Sequence, residues 1–208
     1  MRVGRSTEQL IAELGTGLAA VRPLRPPVVR ALLWLALAAA LAALALGAMH
    51  ADLALFVQRS SEPRLALEFA ATLLTGIAAV LAAFHLAVPG RAGRWALAPL
   101  PPLALWLACS GLGCLRNGLG AVDGGCFVFI VGASVPLAFT LWLLLRRARP
   151  LAPLPVALTG GLGVAALGAF VLQFFHPFDV TVMDLGAHAA AVGLVVAASG
   201  FAGRRALG

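Results

Sequence analysis

The chain has no lysine and no tyrosine, and charged residues fill only 11% of its 208 positions. So little charge excludes an ordinary soluble domain, where about a quarter of the residues are charged. Three cysteines, Cys109, Cys114 and Cys126, are too few for a disulfide framework. Enzyme signatures are missing as well. There is no glycine-rich phosphate loop, no His-Glu-x-x-His, no Cys-x-x-Cys and no serine nucleophile elbow, so catalysis is not expected. Nor does the N-terminus read as a cleavable signal peptide. The first apolar run begins only after about 30 residues and is long enough to span a bilayer.

What is present is apolar. Hydrophobic residues make up 62% of the chain, and its mean hydropathy is +0.99. Six apolar runs cover residues 31–50, 65–88, 95–115, 126–145, 154–175 and 185–202, each near the roughly 20 residues that a spanning helix needs. The expectation is an all-α polytopic membrane protein with six transmembrane helices.

The net charge of +7 would point to nucleic acid in a soluble protein. Here it sorts by loop. Arg2, Arg5, Arg22, Arg25 and Arg30 precede the first run, and Arg91 and Arg94 separate the second from the third. Arg146, Arg147 and Arg149 separate the fourth from the fifth, and Arg204 and Arg205 follow the sixth. Arg59, Arg64 and Arg116 alone lie on the other side, with Asp52, Glu62, Asp123, Asp179 and Asp184. The positive-inside rule then places both termini in the cytoplasm.

The organisation expected is a cytoplasmic segment, 1–30, ahead of a membrane domain, 31–208. In the first, Ser6-Thr7-Glu8-Gln9 reads as a capping box, and Leu10, Ile11, Leu14, Leu18 and Val21 fall on one helical face. So short a helix is marginal alone and orders on a partner or on the bilayer surface. Arg22-Pro23-Leu24-Arg25-Pro26-Pro27 is a stiff, extended spacer.

Within the membrane, Pro99, Pro101 and Pro102 fall in the third run and Pro136 in the fourth, where each can kink its helix. Gly161, Ala165 and Ala169 form a small-residue stripe, read as a packing seam in the bundle. Trp95 and Trp142 sit at run ends as interfacial anchors. Glu68 has Arg64 four residues earlier, which is either an i,i+4 ion pair or part of a buried polar site. Cys114 and Cys126 bracket the glycine-rich loop 116–125, where a disulfide is conceivable.

The most polar outer feature lies between the fifth and sixth runs, from His176 to Asp184, with His188 one turn further on. It is either a capped turn or a sensing site. Thr181 is a candidate N-cap with Asp184 at the third helical position. Charges at span ends, rather than paired near the midplane, suit a membrane sensor holding a cytoplasmic partner. A small transporter or channel-like protein with a polar outer-face site is the alternative.

Six spans, a short cytoplasmic helix and a proline-rich spacer accompany three local motifs. These are Val88-Pro89-Gly90-Arg91 after the second run, Cys126 opening the fourth with Pro136 downstream, and the region 160–188. Together they resemble the NrsF family of bacterial membrane anti-sigma factors. The resemblance implies an inner-membrane protein that sequesters an extracytoplasmic-function sigma factor and releases it on an envelope signal such as metal or oxidative stress. Its partners would be that sigma factor and membrane lipid, with no direct contact to nucleic acid.

With that implication, Leu10, Ile11, Leu14 and Leu18 become the expected sigma-binding face. Outward cysteines carry the signal in several relatives. This chain keeps Cys126 but has His176-Pro177 where a second cysteine is expected, which leaves a metal-binding variant open. The expected metal set is His176, Asp184 and His188, with Asp179 and Cys126. Two imidazoles with carboxylates suit zinc, and a thiolate biases the site towards softer, copper-like ions.

The arginine distribution generates a direct prediction. Reporter fusions placed within 1–30 and after Gly208 should both read cytoplasm. A periplasmic signal from either end would overturn the six-span topology.

Overall fold

A computed structural model describes residues 6–16, 23–120, 124–175 and 181–206 of the chain. Eight α-helices run through them: α1 Thr7–Thr16, α2 Pro27–Ala48, α3 Leu53–Ser60, α4 Pro63–Leu86, α5 Leu100–Asn117, α6 Gly124–Leu145, α7 Pro153–Leu172 and α8 Val182–Ala206. There are no strands among the described residues. Six helical segments are long and apolar enough to cross a bilayer, α5 counting together with the 3-10 turn Gly93–Leu97 before it. The protein is thus a multi-pass helical membrane protein, with α1 and α3 outside the spans.

The innermost helix is α7. Fourteen of its 20 residues are buried, from Val156 to Leu172. Lipid is as apolar as a leucine side chain, so helices in a bilayer gain little from apolar contact alone and associate by close packing. Glycine supplies that closeness here. A Cβ on Gly163 would lie 2.7 Å from Val80 Cγ2 on α4, and one on Gly76 would lie 2.7 Å from Leu167 Cγ. On another face, a Cβ on Gly161 would lie 2.7 Å from Ser199 Cβ on α8. Gly161, Ala165 and Ala169 are all buried in the bundle, as a packing seam requires. One core cluster, including Trp34, Phe84, Leu145 and Val156, fills the arginine-rich half. A second, with Trp106, Cys126, Ile130 and Leu172, fills the opposite half.

Two expectations need correction. The segment between the first two spans is not simply a loop, because it contains α3. Asp52 caps that helix by accepting from Leu55 N at 2.9 Å, and the signal was short enough to be hidden between two long apolar runs. The prolines of the third run do not kink a helix. Pro99 is the N-cap of α5, and Pro101 and Pro102 lie in its first turn, where the missing donors have no intrahelical acceptor to lose. Pro136 does lie inside α6.

The helix α2 is peripheral, and its buried residues are Arg30, Ala31, Trp34 and Ala38. All four lie within residues 27–38, towards the arginine-rich end. There the Arg30 guanidinium donates to Leu144 O, and Trp34 Nε1 donates to Thr140 Oγ1 at 3.1 Å. Further along, α2 parts from the bundle and leaves an apolar crevice of about 590 Å³ against α4, α6 and α7.

Candidate functional site

Two regions can carry function: the helix α1, and a polar layer at the end of the bundle opposite the arginines.

The capping box of α1 forms. Gln9 N donates to Ser6 Oγ at 3.2 Å, and Ser6 N donates to Gln9 Oε1 at 3.2 Å. Both orphan donors are satisfied reciprocally, which fixes where the helix starts. No residue of α1 is buried, and Leu10, Ile11 and Leu14 are 44%, 64% and 65% exposed. Leu18 lies outside the described residues. The spacer is extended where it joins α2, with Pro26 at φ −50° and ψ 144°.

In the polar layer, the start of α8 is fully accounted for. Thr181 N and Oγ1 both donate to Asp184 Oδ2, at 3.2 and 2.7 Å, and Asp184 N lies 3.3 Å from Thr181 Oγ1. The two donors that this box leaves over go to another helix end. Val182 N donates to Gly118 O at 3.1 Å, and Met183 N to Leu119 O at 3.2 Å. Cys114 Sγ donates to Thr181 O at 3.2 Å. These contacts need Gly118 and Gly120, at φ +68° and +63°. A Cβ on Gly120 would sit about 2.4 Å from Thr181 Cγ2. The glycine-rich loop after α5 is therefore shaped to receive α8. Cys114 and Cys126 are both buried thiols, and Cys114 touches the α8 cap.

Asp184 is 2% exposed, and its Oδ1 is buried with no hydrogen-bond partner among the described residues. His188 Nδ1 lies 2.7 Å from Asp184 O. A carbonyl can only accept, so Nδ1 carries a proton. Hence the structure brings Asp184 and His188 together, one turn apart. Cys126 is buried at the start of α6, in the core cluster with Ile130 and Ala191. His176 and Asp179 lie outside the described residues. Among the described residues, no three His, Cys, Asp or Glu side chains gather closely enough to hold a metal ion.

Beside this cap, Arg64 and Glu68 form more than a local pair. Arg64 Nη1 donates to Glu68 Oε2 at 3.2 Å and to Cys109 O at 3.2 Å, and Ser110 Oγ donates to Glu68 Oε1 at 2.9 Å. Both sequence readings of Glu68 hold, since the ion pair is also a buried polar site joining α4 to α5. Glu62 extends it outwards, 3.6 Å from both Arg64 Nε and Arg116 Nη1.

The architecture defines a class: a six-span helical membrane protein with a detached amphipathic helix at its N-terminus. A family model described as NrsF, negative regulator of sigma F, matches residues 14–208, and the chain belongs to that family. Regulation of a sigma factor is the function that the family's description gives, and a sigma factor is the partner it implies. The match begins at residue 14, so Leu10 and Ile11 lie ahead of it. No curated protein and no solved structure matches the chain.

The Arg64–Glu68 pair generates a stability prediction. The two side chains are 10% and 2% exposed, and removing one partner of a buried pair costs at most about 3–5 kcal/mol, less here because Glu62 still lies 3.6 Å from Arg64 Nε. Glu68→Ala should lower the melting midpoint of the detergent-solubilised protein substantially. The double variant Arg64→Ala/Glu68→Ala should lose less than the sum of the two single losses. Strict additivity would show that the pair is not coupled.

Proposed function

We propose that the chain is an inner-membrane anti-sigma factor that sequesters an extracytoplasmic-function sigma factor on its N-terminal segment and releases it on an envelope signal. The observation that carries this reading is α1. A capped helix with three large apolar side chains exposed along one face, tethered by a proline-rich spacer to the first span, is a surface built for a groove. The arginine distribution puts that helix in the cytoplasm, where a sigma factor is.

Burial of a leucine side chain contributes about 1.5–3 kcal/mol, so loss of two should weaken binding at least about a hundredfold. Leu10→Asp with Leu14→Asp should release the sigma factor and raise transcription of its targets without any signal. Unchanged repression at normal protein level would move the binding surface to the loops between spans.

The signal is received, in this reading, at the opposite end, where α8 begins. A divalent cation, zinc or copper-like, would be held by Asp184 and His188 with His176, Asp179 and Cys126. Two features support the fit. Asp184 Oδ1 is a buried acceptor with no donor among the described residues. His188 donates its Nδ1 proton to a backbone carbonyl, as metal-bound histidines commonly do. Asp184 and His188 are too few to close a site, so His176 or Asp179 must complete it. Purified protein titrated with zinc, copper and cadmium should bind one of them, and His176→Ala and His188→Ala should each weaken it by about tenfold or more. Parental binding of every metal by both single variants would leave the region a capped turn.

A further inference from the structure

At the arginine-rich end, α6, α7 and α8 enclose a slot of about 320 Å³. Its walls are apolar: Leu141 and Leu145 from α6, Gly160 and Gly161 from α7, and Ala198 and Ala202 from α8 are among them. Val135 and Phe139, also in the lining, are 64% and 58% exposed, so one side of the slot faces the bilayer.

Three polar features surround this apolar space. Trp142 lines it, and its Nε1 is buried with no hydrogen-bond acceptor among the described residues. Burying an indole N–H unpaired is costly, and Trp142 lies in the last turn of α6, near the depth of the lipid ester groups. The Arg146 guanidinium stands over the Trp142 ring, 4.7 Å from its centroid. Arg204 and Arg205 follow directly on Gly203, the last slot residue of α8, and both are exposed, with the Arg205 guanidinium 4.2 Å from the Phe201 ring centroid. No acidic residue occurs between Asp123 and Asp179 or after Asp184, so nothing on α6, α7 or this end of α8 neutralises the rim.

We infer that this slot is a binding site for an anionic glycerophospholipid of the phosphatidylglycerol class. One acyl chain fills the apolar space, an ester carbonyl accepts from Trp142 Nε1, and the phosphate sits between Arg146 and the Arg204–Arg205 pair. Each element of the lipid meets the chemistry it needs at the depth where a bilayer presents it: hydrocarbon inside, ester at the indole, phosphate at the guanidinium groups. A free inorganic anion would satisfy the rim alone and leave the slot and the indole unexplained.

The test is lipid retention by the full-length protein. It is extracted in mild detergent, incubated with an equimolar mixture of phosphatidylglycerol and phosphatidylcholine, and read by native mass spectrometry. The parent should retain phosphatidylglycerol with about fivefold preference or more, as expected for even one well-placed arginine at the membrane surface. Arg146→Ala/Arg204→Ala/Arg205→Ala should lose that preference, and the corresponding triple lysine variant should keep most of it. Trp142→Phe should reduce retention of both lipids while keeping the preference. Equal retention of the two lipids by the parent, or an unchanged preference in the triple alanine variant, would overturn the proposal. So would displacement of the lipid by millimolar inorganic phosphate, which would reduce the site to a rim that binds any anion.

Discussion

The contact on which the bundle depends is the one between α4 and α7, where Gly76 admits Leu167 and Gly163 admits Val80. Each glycine receives the other helix's aliphatic side chain, so the two helices interlock in both directions rather than meeting at one point. With α4 fixed on one face, α7 receives α8 through Gly161 and α6 through Gly160 and Gly168. The order of causes matters. In a bilayer the apolar surface of α7 gains little by leaving lipid, so these close approaches, and not the hydropathy of the segment, explain why this span is the one at the centre.

The polar groups follow a second constraint, since water is absent to satisfy them. Most of the buried hydroxyls turn back on their own helix. Thr72 donates to Glu68 O, Thr75 to Ala71 O, Ser134 to Ile130 O and Thr159 to Pro155 O. Such bonds settle a side chain but join nothing. The polar contacts that do cross between helices gather at the two ends: Glu68 with Ser110 and the α8 cap at one, Arg30 and Trp34 at the other. The ends are therefore held by geometry-dependent bonds, while the middle is held by packing.

How much of this could be read beforehand depended on the range of the interaction. Spans, caps and charge sorting are local, so both capping boxes, Ser6 with Gln9 and Thr181 with Asp184, were legible from four-residue patterns. So was the packing role of Gly161, Ala165 and Ala169, because spacing alone puts them on one face. What a distant segment decides was not legible. The loop after α5 reads as glycine-rich, but only the fold shows Gly118 and Leu119 offering carbonyls to Val182 and Met183. Likewise, only the fold shows the Cys114 thiol pointing to Thr181 O. The helix α3 escaped for a different reason: eight residues between long apolar runs give too few turns for a periodic signal.

If, as proposed above, a signal at the α8 end acts through α1, an element between them must be free to move, and the structure limits the choice. The centre cannot be that element, because Gly163 and Gly76 leave no room for α7 to slide past α4 without displacing Val80 and Leu167. The first span is different. Its buried residues end at Ala38, beside the 590 Å³ crevice that Pro136 and Leu137 of α6 help to line. Pro136 has no N–H for Gly132 O, so α6 lacks one rung of its ladder at that level. Four residues on, Thr140 Oγ1 lies 3.1 Å from Pro136 O and receives Trp34 Nε1 from α2. The weakened turn of α6 and the grip on α2 thus share one hydroxyl. A bend of α6 at Pro136 changes the hold on Trp34 directly, and α2 continues through Pro26 into the spacer that carries α1.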